Sequence, residues 1–137
     1  MTDAAGSVNL AYDRMGREMT QQRTTNSVTK STTYGYDFGG DVTSLTYPSG
    51  STITYIYDSA ARPISAADSV NGINYVSNGA YAPQGALAQT QNGTNLTSTF
   101  IYNNRLQPCW IYATTGTVLA ASTACTATEV VPPLVET

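Results

Sequence analysis

The stretch "TITYIYDSAARP", Thr52 to Pro63, decides the fold that this sequence predicts. Its first half alternates like a half-buried β-strand, in which Ile53, Tyr55 and Tyr57 share one face and threonine predominates on the other. A Tyr-Asp pair ends the alternation, and the small residues after it are typical of a tight turn. The stretch therefore predicts a strand that ends in a sharp corner.

The same corner recurs along the chain. Five tyrosines precede a turn, at successive spacings of 24, 21, 24 and 21 residues: Tyr12, Tyr36, Tyr57, Tyr81 and Tyr102. Aspartate follows three of them, as Asp13, Asp37 and Asp58. Glycine stands four residues after three of them, as Gly16, Gly40 and Gly85. Such regular spacing indicates an internal repeat.

Two corners depart from the glycine pattern. Ala61 occupies the glycine position of the third corner, which predicts either a turn that avoids positive φ there or a strained one. In the fifth corner, "YNNRLQ", we expect a turn that is one residue shorter, built on Asn103-Asn104. Both departures are easier to accommodate in a scaffold corner than in a site that performs chemistry.

A second turn lies between successive corners. Tyr47–Gly50, "YPSG", has Pro and Gly where a β-turn favours them. Asn71-Gly72 and Asn92-Gly93 predict two-residue hairpin turns, and Asn78-Gly79 predicts a bulge. We therefore expect an all-β antiparallel meander of about ten short strands without substantial helix. We expect this hairpin module to occupy residues 1–125, and residues 126–137 to form an extended proline-containing arm.

The composition narrows the range of functions. A chain of 137 residues is long enough for one domain. A net charge of −3 and six scattered Lys and Arg residues argue against a nucleic-acid partner. No apolar run approaches the ~18 residues of a membrane span, and the opening "MTDAAGSVNL" lacks the features of a signal peptide. If the protein is exported, we expect a signal already removed or a longer parent chain.

The Tyr-Asp pairs are predicted to have a structural role in the turns. We expect each tyrosine to pack across strands and each aspartate to accept the backbone N–H groups of its turn. Corners at repeat spacing have equivalent environments, whereas acid–base catalysis needs carboxyls in different ones. The chain also has no histidine, the commonest general base and metal ligand. We expect no enzyme, catalytic residue, cofactor or metal; the metal alternative is a calcium loop around Asp37 and Asp41.

Tyrosines also alternate within the strands that precede two corners. They would line one face of the sheet: Tyr34 with Tyr36, and Tyr55 with Tyr57. We expect this face to be the hydrophobic core. The alternative is a surface that binds glycans by stacking sugars on the rings.

Two pairs of residues are candidates for covalent modification. Asn92 and Asn95 each begin an Asn-x-Thr sequon and are candidate N-glycosylation sites. Cys109 and Cys125 are candidates for a disulfide in an oxidising compartment. The alternative for the cysteines is a pair of small apolar residues.

Four segments carry a family resemblance: "YDRMGRE", "YGYDFGGDVTSLTYPSG", "YIYDSAARP" and "FIYNNRLQP". From about Leu10 to Tyr112 the chain resembles the RHS/YD repeats of bacterial RHS proteins, toxin-complex C subunits and animal teneurins. The resemblance implies a curved or spiral sheet of hairpins that forms a hollow shell, around a toxin in some members and as an extracellular scaffold in teneurins. The chain departs from this family in having few repeats, no toxin domain and no self-cleavage segment, and Tyr81 and Tyr102 lack a following Asp.

These features predict a structural module of an exported or cell-surface bacterial protein, located outside the cell. An open meander has two edges, and unpaired edges template pairing with other strands. The expected partner is a further copy, in a shell or fibre, or flanking YD repeats of a longer chain. The end segments "GSVNLAYD" and "EVVPPLVE" are candidates for strand addition. The alternatives are a fragment of an RHS-type toxin-enclosing cage and a glycan-binding surface module.

Overall fold

The computed structural model describes residues 2–3, 6–115 and 125. Their strands form one open antiparallel sheet in chain order. The strands are β1 (Thr2–Asp3), β2 (Gly6–Tyr12), β3 (Glu18–Thr25), β4 (Val28–Tyr36), β5 (Val42–Thr46), β6 (Thr52–Tyr57), β7 (Pro63–Asp68), β8 (Ile73–Tyr81), β9 (Leu87–Asn92), β10 (Leu96–Tyr102) and β11 (Pro108–Thr115). The described residues contain no helix, so the prediction of an all-β hairpin meander is confirmed. The predicted arm, residues 126–137, lies outside the described residues.

Strand order determines where the turns lie. Because each strand pairs antiparallel with the next, the chain reverses at alternate ends of the sheet. All five tyrosine corners therefore lie at one end, which we call the corner end: residues 13–17, 37–41, 58–62, 82–86 and 103–107. The four other turns among the described residues lie at the opposite end. The segment "GSVNLAYD" is not a free arm, because β2 pairs with β3 along its whole length.

The loop that holds Asn71-Gly72 is wider than predicted. Asp68 pairs with Ile73, so the loop has four residues, and the prediction of a two-residue turn is wrong. The Asp68 carboxylate supplies the physical reason, since its Oδ1 accepts the amides of Val70 and Asn71 at 3.0 Å each. Capping by this side chain stabilises the larger loop.

Asn92 also differs from its prediction. It pairs with Leu96 and belongs to β9, which leaves a three-residue loop and makes the two-residue prediction wrong. Its side-chain amide donates to Ser98 Oγ at 2.9 Å, which holds Asn92 in the strand. The two-residue turn of the opposite end is instead Asn26-Ser27, with φ of 50° and 62°. Two positive φ values are typical of a type I′ hairpin turn.

Two other turn predictions are confirmed. The Gly50 amide donates to the Tyr47 carbonyl at 2.9 Å, which closes the predicted β-turn. The register between β8 and β9 shifts between Ser77 and Ala80, so Asn78-Gly79 forms the predicted bulge. An ideal Cβ at Gly79 would lie 2.8 Å from the Ile64 Cα, which explains the need for glycine there.

The two faces of the sheet differ in composition. One face, which we call the tyrosine face, has Tyr34 opposite Leu45 and Leu45 opposite Ile53. The other carries cross-strand threonines such as Thr46 and Thr52, whose Oγ1 atoms lie 2.9 Å apart. Pairs of this kind stabilise neighbouring strands.

The described part of the chain buries few hydrophobic side chains. They are Ile53 and Ile101, which are 8% and 5% exposed. The tyrosines that were predicted to form a core are only half-buried: Tyr34, Tyr36, Tyr55 and Tyr57. On the face predicted to be the core, Ile53 is buried and the tyrosines are half-buried, because the described residues form a single sheet and a sheet face is fully buried only by a second layer.

Candidate functional site

All five corners share one backbone geometry. The amide after each tyrosine donates to the carbonyl four residues further on, at 2.8–3.0 Å; Asp13 to Arg17 is the first example. A second bond runs back to the same residue, as from the Gly16 amide to the Asp13 carbonyl at 3.1 Å. The strand register shifts just before every corner tyrosine. A one-residue bulge therefore precedes each corner and turns the chain sharply.

The fourth residue after each tyrosine has a left-handed backbone. Its φ is 80° at Gly16, 100° at Gly40, 58° at Ala61, 87° at Gly85 and 64° at Leu106. The prediction of a shorter fifth corner is wrong, because Leu106 occupies the glycine position of a corner of the usual length. The third corner was predicted either to avoid positive φ at Ala61 or to be strained. Its positive φ shows that the strained alternative is correct. A non-glycine residue in this region costs about 1–2 kcal/mol, so the corner geometry persists against local preference at two of five positions.

The corner aspartates cap their own turns. Asp13 Oδ1 accepts the amides of Met15 and Arg17 at 2.8 and 2.9 Å. Asp58 Oδ1 does the same for Ala60 and Arg62, at 2.8 and 3.0 Å. These bonds favour the ionised carboxylate.

The pKa values of two of these carboxyls reflect the capping. The Arg17 amide is the main cause of a lowered pKa at Asp13. The Arg62 guanidinium is the main cause of a lowered pKa at Asp58, with the Arg62 amide next. Both aspartates are therefore in their charged, capping form at neutral pH.

The second and fifth corners use the same cap with other partners. Asp37 Oδ1 accepts the amides of Gly40 and Asp41 at 2.8 and 2.9 Å. Asn103 Oδ1 accepts the amides of Arg105 and Gln107 at 2.9 and 3.0 Å. The fourth corner has alanine at the capping position and keeps its shape through the backbone bonds.

Arginine links two of the corners to their successors. Arg17 Nε donates to Asp13 Oδ2 at 2.7 Å, and its guanidinium lies 4.7 Å from the centre of the Tyr36 ring. Arg17 also donates to the Asp37 carbonyl at 2.8 Å. Forty-five residues later, Arg62 pairs with the Asp58 carboxylate and lies 4.5 Å from the centre of the Tyr81 ring. The sequence signal for this role was an arginine five residues after the tyrosine, in "YDRMGR" and "YDSAAR".

Tyrosine hydroxyls form the most regular connection between corners. Tyr36 donates to the Glu18 carbonyl at 2.8 Å, Tyr57 to Val42 at 2.9 Å, Tyr81 to Pro63 at 2.6 Å and Tyr102 to Leu87 at 2.8 Å. Each acceptor is the residue that pairs with the preceding corner tyrosine. We call this series the hydroxyl ladder. It fixes each corner relative to the one before and was not predicted from the sequence.

A buried carboxylate connects two turns at the opposite end of the sheet. Asp68 is 1% exposed. Its Oδ2 accepts the Ser51 hydroxyl and the Asn71 side-chain amide, the latter at 2.7 Å. The Ser51 hydroxyl is the main cause of a pKa held far below the ordinary aspartate range. Sequence reasoning missed this cluster, whose only signal was an aspartate three residues before Asn71-Gly72.

The calcium alternative finds little geometric support. Asp37 Oδ1 is occupied by two backbone amides of its own turn. In the described part of the chain, no three His, Cys, Asp or Glu residues come together as a metal-binding group. A calcium ion takes six to eight oxygen ligands, so the Asp37 and Asp41 turn offers too few.

The candidate modification sites lie in different surroundings. Cys109 and Cys125 are joined by a disulfide, with Cα atoms 6.3 Å apart. Asn92 is half-buried and bonded to Ser98, whereas Asn95 is exposed in the loop between β9 and β10. Of the two sequons, Asn95 therefore presents its side chain better to a glycosyltransferase.

Comparison with known proteins identifies no family for this chain. No protein-family model matches it, and a search of curated proteins finds no significant match. Among residues 2–3, 6–115 and 125, no helix has the length and apolarity that crossing a bilayer requires. A functional assignment therefore depends on the corners, the hydroxyl ladder and the sequence pattern.

Proposed function

We propose that this chain is a non-enzymatic structural module of the RHS/YD-repeat type. It belongs to an exported or cell-surface bacterial protein and builds a shell or a self-assembling fibre by pairing at its sheet edges. The hydroxyl ladder is the observation that carries this proposal. A series of bonds that repeats from corner to corner has the form of a scaffold and can continue into further repeats.

The use of the polar groups supports a structural role. In the first corner, Asp13 Oδ1 and Oδ2 and the Arg17 guanidinium all bond within the corner row. The hydroxyls of Tyr36, Tyr57 and Tyr81 are engaged in the same way. A nucleophile or general base needs a group that faces a substrate. Groups that bond to one another in this manner stabilise the sheet.

The sheet edges support a role in assembly. Beyond the two residues of β1, neither terminal strand of the sheet, β2 nor β11, carries a charged side chain. Charged residues on edge strands are a common defence against pairing with other chains. Long uncharged strands next to the ends of an open repeat sheet favour extension, by further copies or by flanking repeats of a longer chain. Flanking repeats would make this module a fragment of a toxin-enclosing cage.

A glycan-binding surface is the second candidate. The tyrosine face supports it, because Tyr34 and Tyr55 are half-buried and keep part of their rings exposed. Aromatic rings are large apolar surfaces with a polar tip, which suits contact with sugars. Screening of the protein on a glycan array, with a Tyr34→Ala/Tyr55→Ala chain as control, would detect this activity. Binding that the control loses would favour this candidate over a scaffold.

Electron microscopy of the native material tests the structural proposal. Shells or fibres are the expected result, and their subunit spacing would show how the modules join. Light scattering during size-exclusion chromatography complements the images by measuring mass in solution. Single, unconnected modules in native material, together with monomers at high concentration, would contradict the proposal.

A further inference from the structure

The hydroxyl ladder has complementary ends. Tyr12 is the first corner tyrosine; it is 56% exposed, and no residue in the described part of the chain accepts a hydrogen bond from its hydroxyl. Pro108 occupies the acceptor position of the last corner, since it pairs with Tyr102. Forty-five residues earlier, Pro63 holds the same position and accepts the hydroxyl of Tyr81. One end of the ladder thus presents a donor, and the other end an acceptor.

Strand direction allows these ends to meet. β11 runs in the same direction as β3, β5, β7 and β9, and β2 runs in the same direction as β4, β6, β8 and β10. A β2 strand from a second copy would therefore lie antiparallel to β11. This is the arrangement by which β9 already pairs with β10. A head-to-tail contact of this kind does not close on itself and gives an open assembly.

The register of that contact follows from the pairings within the chain. In three of them, the eighth residue after one corner tyrosine lies opposite the third residue before the next: Thr20 opposite Thr33, Ser44 opposite Thr54, and Gln89 opposite Thr99. Applied to the ends, the rule places Trp110 opposite Asn9. Two residues further along, Tyr112 lies opposite Ser7.

We propose that β11 of one copy pairs antiparallel with β2 of a second copy in this register, and that the Tyr12 hydroxyl of the second copy donates to the Pro108 carbonyl of the first. This inference rests on the proposed structural function and names its partner, a second copy of the chain. All strand pairs and the ladder bond repeat arrangements that the chain already contains. The pairing requires that β1 leave the β2 edge and that Cys125, joined to Cys109 of β11 by the disulfide, leave room for the second copy.

β1 competes for the same edge. Thr2 pairs with Ser7, and Asp3 with Gly6, which occupies part of the β2 edge. In the described part of the chain β1 is only two residues long, so it covers a short part of the β2 edge. β1 is therefore a displaceable edge strand, which β11 of an incoming copy replaces. Deletion of residues 1–5 should raise the rate of assembly.

Cysteine cross-linking tests the register directly. A full-length Ser7→Cys chain is mixed with a full-length Tyr112→Cys chain under mild oxidation, and mass mapping identifies the linked peptides. The matched control replaces the first chain by Val8→Cys, a one-residue slip that places its side chain on the other face. We expect about tenfold more linked dimer from the first mixture, because a slip moves every side chain across the sheet. Equal yields from both mixtures, or no dimer from folded chains, would overturn the proposal.

Tyrosine substitutions separate this inference from the proposed function. Tyr12→Phe should lower the yield of linked dimer without changing the melting temperature (Tm), while Tyr57→Phe should lower the Tm. Failure of cross-linking together with a lowered Tm for Tyr57→Phe would mean that copies do not join, and the scaffold role would stand. An unchanged Tm for Tyr57→Phe would instead remove the observation that carries the proposed function.

Discussion

The two ends of the sheet hold the strands in register by different means. At the corner end, five turns share one backbone geometry, and four tyrosine hydroxyls join each corner to its predecessor. At the opposite end, the loops have two, five, four and three residues. One buried carboxylate, Asp68, connects two of them. The corner end distributes its bonds over a repeat, whereas the largest group of side-chain bonds at the opposite end lies at one residue, Asp68.

The largest expected effect follows from that concentration. Asp68→Ala should lower the Tm more than any single substitution at a corner, because Ser51, Asn71 and two loop amides lose a buried acceptor together. Differential scanning calorimetry measures the change. The matched control is Asp37→Ala, which removes a cap of two amides at the corner end. An Asp37→Ala chain that melts as low as Asp68→Ala would remove the distinction between the ends.

Lowering the pH tests the same comparison between the two ends of the sheet. The pKa of Asp68 is lowered mainly by the Ser51 hydroxyl, that of Asp13 mainly by the Arg17 amide, and that of Asp58 mainly by the Arg62 guanidinium. A carboxyl with a lowered folded-state pKa stabilises the fold fully above its unfolded value of about 3.9, and loses this contribution as the pH falls below it.

We therefore expect a constant Tm near neutral pH and a decline below about pH 4. The decline should be shallower for Asp68→Asn, which cannot titrate at this position. A series of thermal melts between neutral and acid pH makes the comparison. Parallel curves for the two chains would show that Asp68 does not contribute to the acid sensitivity.

Backbone substitutions at the corners should have an intermediate effect. Gly85 and Leu106 hold equivalent positions with φ of 87° and 64°, and an ideal Cβ at Gly85 meets no atom within 4 Å. A non-glycine residue costs about 1–2 kcal/mol in this conformation, and the greater freedom of unfolded glycine offsets about 0.5–1 kcal/mol of it. Gly85→Leu should therefore destabilise by about 0.5–1 kcal/mol, and Leu106→Gly should stabilise by a similar amount. Urea unfolding measures both, and a change of the same sign in both chains would contradict an equivalent geometry.

The smallest expected effect concerns the arginines that link corners. Arg62→Gln removes the ion pair with Asp58 and the contact with the Tyr81 ring. Because Arg62 is partly exposed, solvent and salt screen the pair. We expect a decrease in Tm less than half that of Gly85→Leu, which shrinks further in 1 M salt. A larger loss that salt does not reduce would mean that the arginine acts through packing alone.

The sequence was sufficient to predict what depends on local pattern. The period-two alternation and the spacing of Tyr12, Tyr36 and Tyr57 predicted the meander and the positions of its corners. Capping by aspartate followed from the preference of that side chain for the amides of its own turn. These features require only a few consecutive residues.

Features that depend on distant residues could not be predicted. The acceptor of Tyr57, the Val42 carbonyl, is set by the register of two strands and by the loop between them. Burial of Asp68 requires Ser51 from a neighbouring turn. Asn26-Ser27 was missed because it lacks the glycine that usually marks a type I′ turn. The fifth corner was misjudged for the same reason, because Leu106 stands where a glycine would have marked the turn. The corner imposes a positive φ on Leu106 against the backbone preference of leucine.

Urea unfolding of two tyrosine variants tests most directly whether the hydroxyl ladder holds the corners together. Tyr57→Phe removes one internal bond, from the Tyr57 hydroxyl to the Val42 carbonyl. Tyr12→Phe removes a hydroxyl at the end of the ladder that has no acceptor among the described residues. We expect Tyr57→Phe to lower the free energy of unfolding by about 1 kcal/mol, and Tyr12→Phe to leave it unchanged. Equal stability of the two variants would contradict a structural role for the ladder.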